Sequence, residues 1–168
     1  MQLDHYSTKF ENQIFPIVLI CEDVTNAPNI GSLFRTADAF GIEELVFCGD
    51  HIPLGRKITK TSRSTEKFVK YRIANNALKV VNDLKARGYM IISLEITSKS
   101  KALRGFKFSN NTPVALVIGN ENFGISEAVL NYSDAIIHID MFGQNSSMNV
   151  VQATSVILYE ITKQLKLS

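Results

Sequence analysis

Short apolar segments alternate with amphipathic ones along most of this chain. Six segments are almost continuously apolar and rich in β-branched residues, at 16–24, 44–49, 68–73, 89–95, 113–119 and 135–140. Apolar runs of this length are typical of strands buried on both faces of a parallel sheet. Four further segments have the apolar periodicity of helices, at 29–40, 75–87, 126–131 and 148–165.

The alternation of strands with helices predicts an α/β fold in which helices cover both faces of a parallel sheet. Gly41 and Gly88 directly follow two of the predicted helices and are expected to cap their C-terminal ends. No linker, repeat or low-complexity segment interrupts the pattern, so we expect one domain. Ligands of open parallel sheets bind at the carboxyl ends of the strands, and the turns after the strands are therefore the place to look for functional residues.

Composition excludes several classes of protein. Hydrophobic residues make up 45% of the chain and charged residues 20%, which is incompatible with a disordered chain. The first residues lack the features of a signal peptide, and the longest apolar run, 14–21, is too short to span a bilayer. We therefore expect a cytoplasmic protein without a membrane partner. Cys21 and Cys48 are predicted to be buried free thiols, and the scattered histidines predict no metal site.

Positive charge is concentrated in one segment, although the net charge of the chain is only +2. Residues 55–72 sum to +6 and the rest of the chain to −4. Glu66 lies among seven basic residues, Arg56, Lys57, Lys60, Arg63, Lys67, Lys70 and Arg72. The segment is either a phosphate-binding surface or a solvated, loop-rich face.

The segment 26–41 follows the first predicted strand. A stripe of apolar side chains at helical spacing is expected to face the core, and it consists of Ile30, Leu33, Phe34 and Ala37. Arg35 and Asn29 lie off this stripe. Taken alone, the segment is better explained as an amphipathic helix with a solvated face on which Arg35 pairs with Asp38.

The segment 114–126 joins an apolar strand directly to the turn Gly-Asn-Glu-Asn-Phe-Gly at 119–124. Two glycines in such a turn allow a ligand to approach the backbone closely. Their spacing matches a phosphate-binding loop, but Ile125 and Ser126 occupy the positions where Lys and Ser or Thr are required, which argues against a nucleotide triphosphatase. The alternative is a plain glycine turn with Glu121 facing solvent.

The segment 139–161 contains a polar loop and the start of a long helix. Ser146 or Ser147 is expected to cap that helix. Its apolar face is broad, and it either packs entirely on the core or partly on a partner subunit. The face comprises Val150, Val151, Ala153, Ile157, Leu158, Ile161 and Leu165.

Together the three segments resemble the signature motifs of the SPOUT superfamily, on its SpoU/TrmH branch. The first motif is matched by Asn29, Gly31, Arg35, Ala37 and Gly41. The second is matched by Gly119, Asn120, Glu121 and Gly124, and the third by Met141, Gly143, Ser147, Asn149 and Ala153. The motifs occur in the family's order, and the resemblance covers nearly the whole chain.

The resemblance implies a parallel sheet whose C-terminal part forms a trefoil knot, an arrangement that pattern reading alone would exclude. It also implies a homodimer with the active site near the subunit interface. The segment 1–168 would then be a single SPOUT methyltransferase domain, without a separate RNA-binding domain.

The activity implied by the resemblance is S-adenosylmethionine-dependent methylation of a ribose 2′-hydroxyl in RNA. We expect tRNA rather than rRNA as the substrate, since a minimal domain can suffice for a small RNA. The implied cofactor-binding positions are Leu94, Glu95, Gly119, Ile139, Met141 and Met148. The implied catalytic positions are Arg35, Asn29, Glu121, Ser147 and Asn149.

Roles for the catalytic residues follow from the same resemblance. Arg35 acts at the hydroxyl, either as a general base or as a phosphate clamp that stabilises the alkoxide. Glu121 orients Arg35 or Asn29, and Ser147 and Asn149 hold the ribose or a phosphate. The alternatives are a catalytically silent RNA-binding or assembly protein on this fold, and a base methyltransferase of the wider superfamily. The chain lacks the Gly-x-Gly-x-x-Gly of a dehydrogenase and the Gly-x-Ser-x-Gly of a serine hydrolase.

Overall fold

The computed structural model describes residues 11–53 and 56–166. Within these ranges seven strands form, β1 (Phe15–Glu22), β2 (Ile42–Cys48), β3 (Tyr71–Ala74), β4 (Met90–Leu94), β5 (Lys101–Ala102), β6 (Val114–Ile118) and β7 (Ala135–His138). The helices described there are α1 (Ala27–Ala39), α2 (Arg56–Ser62), α3 (Ala77–Ala86), α4 (Glu127–Tyr132) and α5 (Val150–Lys166), with a short 3-10 turn at Thr65–Lys67.

All seven strands run parallel in one sheet, in the order β3-β2-β1-β6-β4-β7-β5. Strand β1 lies near the middle, where Leu19 is paired with Leu45 of β2 on one side and Leu116 of β6 on the other. Residues 17–21 of β1 are buried because the strand is flanked on both sides and covered on both faces, which explains their unbroken apolar run. The predicted parallel α/β sheet is confirmed.

Helices cover both faces of the sheet, as predicted. Along β1, Leu19 and Cys21 pack into a cluster with α1, α2 and α5, whereas Val18 and Ile20 pack with α3 and α4. This division follows from the alternation of side chains along a strand. The first cluster also contains Ile157, Leu158 and Ile161 of α5, so much of the predicted apolar face of this helix packs on the core.

Most predicted boundaries differ from the structure by one to three residues, and helix α2, the 3-10 turn and strand β5 were not predicted. Phe68 ends the 3-10 turn, with its N–H donating to the Thr65 carbonyl at 2.9 Å, so the third strand begins at Tyr71 instead of residue 68. Helix α5 begins at Val150 instead of residue 148, because the Asn149 side chain caps it in place of Ser146 or Ser147. Helix α2 has no apolar stripe in its sequence, and the two-residue strand β5 is too short to show a period.

The predicted glycine caps are confirmed. Gly41 and Gly88 follow α1 and α3 with φ of 57° and 87°, the left-handed conformation that favours glycine. In the described residues, no helix is both long and apolar enough to cross a membrane.

Candidate active site

The turns after β6, β4 and β7 surround a cavity of about 800 Å³, closed on one side by the start of α5. These three strands are neighbours in the sheet, so their carboxyl ends meet at one edge. The six positions predicted to bind the cofactor all line this cavity, namely Leu94, Glu95, Gly119, Ile139, Met141 and Met148. Their role in cofactor binding stays a prediction.

The glycine-rich loop after β6 folds tightly on itself. The Gly124 N–H donates to the Asn120 carbonyl at 2.8 Å, and Gly124 has a φ of 68°. A Cβ on Gly119 would lie 2.3 Å from the Gly124 carbonyl carbon, closer than any side chain tolerates. Glycine at these two positions therefore brings the backbone of the loop directly to the cavity wall.

Asn120 and Glu95 hold this loop in place. The Asn120 Oδ1 accepts from the N–H groups of Asn122 at 2.8 Å and Phe123 at 3.2 Å, while its Nδ2 donates to the Asp23 carbonyl at 2.8 Å. The Glu95 carboxylate accepts from the Ile125 N–H at 3.1 Å. Sequence reasoning assigned no such role to Asn120, although an Asn that bonds the backbone two residues onward is a common turn device.

Three of the five predicted catalytic residues meet beside the cavity in one hydrogen-bonded chain. The Asn149 Nδ2 donates to the Asn29 Oδ1 at 3.2 Å, and the Asn29 Nδ2 donates to the Glu121 carboxylate. The Asn149 Oδ1 accepts from the Val151 N–H at 2.8 Å. An ionised carboxylate only accepts and a backbone N–H only donates, so both amide orientations are fixed from the two ends.

Asn29 reaches this position because it lies in the first turn of α1. The Asn26 side chain caps the helix by accepting from the Asn29 N–H at 3.1 Å. The cap therefore sets where α1 begins and, with it, the direction of the Asn29 side chain towards the loop after β6.

The remaining predicted catalytic residues lie apart from this chain. Ser147 is exposed and lines the cavity from the loop before α5. Arg35 lies on the exposed side of α1, about 9 Å along the helix from Asn29. Within the described residues its guanidinium makes no hydrogen bond or ion pair, so neither the Asp38 pair nor a contact with Glu121 forms. Of the two partners expected for Glu121, the structure pairs it with Asn29.

His138 is a residue of the cavity wall that sequence reasoning missed. It lies at the end of β7, with Nδ1 2.9 Å from the Ser100 Oγ and Nε2 3.6 Å from an Asp140 oxygen. A single histidine in a strand carries no spacing signal, so only the fold reveals its place.

The two cysteines are buried free thiols, as predicted. Burial raises the pKa of Cys48 to about 12 and holds the pKa of Cys21 well above its usual value. A thiol that keeps its proton is a poor nucleophile, so neither cysteine is suited to covalent catalysis near neutral pH.

Residues 16–159 match the SpoU rRNA methylase family, and the chain belongs to this family. It is 30% identical over 151 residues to the tRNA (guanosine(18)-2′-O)-methyltransferase of Aquifex aeolicus, covering 88% of this chain and 69% of the relative. It is 29% identical over 152 residues to the 23S rRNA (guanosine-2′-O-)-methyltransferase RlmB of Neisseria meningitidis serogroup B, covering 89% of this chain and 59% of the relative.

Solved structures show the same fold. The SpoU methyltransferase AviRb of Streptomyces viridochromogenes, in complex with the cofactor AdoMet, superposes with a TM-score of 0.80 at 27% identity. The match covers 99% of this chain and 66% of AviRb. The resemblance to the SpoU/TrmH branch is confirmed, and the chain spans roughly three fifths to two thirds of the length of these relatives.

Proposed function

We propose that this chain is an S-adenosylmethionine-dependent RNA methyltransferase that methylates a ribose 2′-hydroxyl, with tRNA as the preferred substrate. The observation that carries the proposal is the Asn149–Asn29–Glu121 chain at the rim of a cavity formed by the carboxyl ends of three adjacent strands. Membership of the SpoU family supports the reaction, and the names of the tRNA and rRNA relatives support the substrate class.

The residues of the cavity fit S-adenosylmethionine. Its volume lies in the range of small-molecule sites, and Leu94, Ile139 and Met148 offer apolar surface for a flat adenine ring. Gly119 leaves backbone groups accessible to polar atoms of the ligand. The carboxylate of Glu95 supplies negative charge to a cationic ligand. When bound, this cofactor supplies an electrophilic methyl group on a sulfonium.

The protein must hold a ribose hydroxyl in line with that methyl group and assist the loss of its proton. Asn29 and Asn149 are positioned to bind the ribose, because Glu121 and the Val151 N–H fix the directions of their amide groups. Ser147 offers a hydroxyl to the ribose or to a neighbouring phosphate.

Arg35 acts on the RNA and not on the cofactor, since it lies outside the cavity wall. An arginine side chain keeps its proton near neutral pH, which favours a phosphate clamp and alkoxide stabilisation over a general base. Its distance from Asn29 along α1 is compatible with action across a subunit interface.

A homodimer is part of the proposal. Apolar side chains are exposed beside the site on α5 and on the loop before it, at Val156 (43%), Tyr159 (61%) and Phe142 (84%). A second copy covering this surface would bury it and bring another Arg35 near the cavity. A cytoplasmic location is also part of the proposal.

Transfer of labelled methyl from S-adenosylmethionine to tRNA and rRNA fractions from cells lacking the gene tests the function. We expect label in tRNA, recovered as a 2′-O-methyl nucleotide and lost with Arg35→Ala. Arg35→Lys keeps the charge without the guanidinium fork and is expected to retain little activity. Recovery of the label on a base would identify the chain as a base methyltransferase. Absence of both label and cofactor binding would favour a catalytically silent RNA-binding protein.

A further inference from the structure

Exposed aromatic side chains lie beside basic ones at the outer edge of the sheet. Strand β3 ends the strand order and pairs with β2. Phe68, three residues before this strand, is 81% exposed, and Tyr71, the first residue of the strand, is 40% exposed. Single exposed apolar residues are ordinary on protein surfaces. Here two exposed aromatic rings lie within four residues of each other and close in sequence to the exposed Arg63 and Lys67, so they form a cluster.

Strand geometry divides the basic segment 55–72 between the two faces of the sheet. Lys70 and Arg72 pair with Glu44, at 3.7 Å and 3.5 Å, on the face covered by α3. Tyr71 alternates with them and packs edge-on against Phe34 of α1, with ring centroids 5.0 Å apart. Residue 55 and the side chains of Arg56 and Lys57 lie outside the described residues.

The 3-10 turn at Thr65–Lys67 lies against α1 as well, so a surface consisting of Arg63, Lys67, Phe68 and Tyr71, here called the edge surface, belongs to the α1 side. Hydrogen bonds hold this turn. The Phe68 and Val69 N–H groups both donate to the Thr65 carbonyl, at 2.9 Å and 3.0 Å. A surface whose backbone is fixed in this way loses little entropy on binding.

Helix α2 and the 3-10 turn, which carries Lys67 of the edge surface, both pack on α1, the helix that carries Arg35. A Cβ on Gly31 would come 2.6 Å from the Thr61 Cβ, so α2 packs directly on α1 at this glycine. Arg35 lies four residues after Gly31, one helical turn further on the same face. An RNA strand bound to the edge surface would therefore lie on elements that pack against the helix carrying Arg35.

We propose that the edge surface binds a single-stranded segment of the RNA substrate, with a base stacked on Phe68 and phosphates held by Arg63 and Lys67. This inference rests on the proposed function. Aromatic rings beside cations are the common means of binding single-stranded nucleic acid, because every base has a face that stacks and every phosphate is anionic. A second copy of this chain fits poorly, since a two-fold interface would oppose the same cations to one another.

The chain contains no tryptophan, so Phe68→Trp creates a single fluorescent reporter at the edge surface. We expect a short oligouridylate to quench its emission and a blunt RNA duplex of equal length to leave it unchanged. Tyr132→Trp is the matched control, an exposed aromatic position on α4 at the other face of the sheet. Equal quenching at both positions would overturn the proposal.

Binding measured against salt concentration separates stacking from phosphate contact. We expect Phe68→Ala to weaken RNA binding about 5- to 100-fold with an unchanged salt slope. Lys67→Ala is expected to reduce the slope by about 0.7, the value for one phosphate contact on a single strand. Lys79→Ala, an exposed cation on α3, is expected to change neither, and calorimetric S-adenosylmethionine binding checks that each variant is folded.

Three outcomes contradict the inference. Wild-type RNA affinity in Phe68→Ala, with methyl transfer intact, overturns the edge surface and leaves the proposed function standing. A change in oligomeric state in Phe68→Ala identifies the surface as an interface between copies of the chain. Absence of RNA binding and methyl transfer in the wild-type protein contradicts the proposed function itself.

Discussion

Replacing Gly119 by alanine tests whether the loop after β6 needs its tight fold to form the cofactor cavity. The added Cβ would lie 2.3 Å from the Gly124 carbonyl carbon, 2.4 Å from its oxygen and 2.5 Å from the Ile125 nitrogen. All three are backbone atoms, so no side-chain rotation relieves the contact. Restoring ordinary contact requires the loop to move by about 1 Å.

A shift of that size breaks the Gly124 N–H bond to the Asn120 carbonyl and the Ile125 N–H bond to the Glu95 carboxylate. The first hydrogen bond has a neutral acceptor and the second a carboxylate, so the two bonds together contribute about 2–4 kcal/mol to the free energy of unfolding. For a chain of this size, that loss corresponds to a fall of roughly 5–15 °C in Tm. Because the loop lines the cavity, S-adenosylmethionine affinity should fall about tenfold or more, a change of about 1.4 kcal/mol.

Thermal unfolding followed by circular dichroism measures the Tm change, and titration calorimetry measures cofactor binding. Gly143→Ala is the control for stability, since its Cβ would meet no atom within 4 Å and its φ is not positive. We expect its Tm to be unchanged or slightly raised, because alanine restricts the unfolded chain more than glycine does. If Gly119→Ala melts and binds cofactor like the wild type, the steric reasoning is refuted.

Three further predictions concern other parts of the molecule. Glu121→Gln keeps the shape of the acceptor for Asn29 but removes its charge, so we expect about a fivefold slower single-turnover methyl transfer, whereas a wild-type rate in Glu121→Ala would contradict the role. Asn26→Ala removes the α1 cap and should cost about 1 kcal/mol in urea unfolding, with Asn26→Asp restoring most of it. Burial raises the pKa of Cys48 to about 12, so above about pH 9 the unfolded chain loses a thiol proton that the folded chain keeps. The free energy of unfolding should therefore fall between about pH 9 and 12, and Cys48→Ser should lessen that fall; an equal fall in both proteins would contradict the assignment.

Local sequence determined the elements whose burial produces a clear pattern of apolar residues along the chain. The central strands are apolar on both faces, so their runs mark them without ambiguity. Gly41 and Gly88 cap their helices as predicted. A residue in the left-handed conformation often ends a helix, and glycine is the residue that adopts this conformation most easily, so the glycine alone predicts the cap. The positions predicted to bind the cofactor came from the resemblance to the SpoU/TrmH branch, and the structure gathers them because parallel strands bring their carboxyl ends to one edge.

Tertiary structure decided what depends on contacts between distant segments. Helix α2 carries no apolar stripe and is placed by packing on Gly31, which lies in another helix. Helix α5 is capped by Asn149 and not by the predicted serine, and the Asn149 side chain also donates a hydrogen bond to Asn29. The trefoil knot stays a prediction of the resemblance.

The sequence by itself therefore determined the long buried strands, the glycine turns, the family and the residue types of the site. Only the tertiary structure decided that Asn29, Glu121 and Asn149 form one chain, that Arg35 lies apart from it, and that Phe68 is exposed beside cations. The physical reason is distance along the chain. Periodicity reports the environment of neighbouring residues, whereas Asn29 and Glu121 are 92 positions apart and meet only when β1 and β6 pair in the sheet.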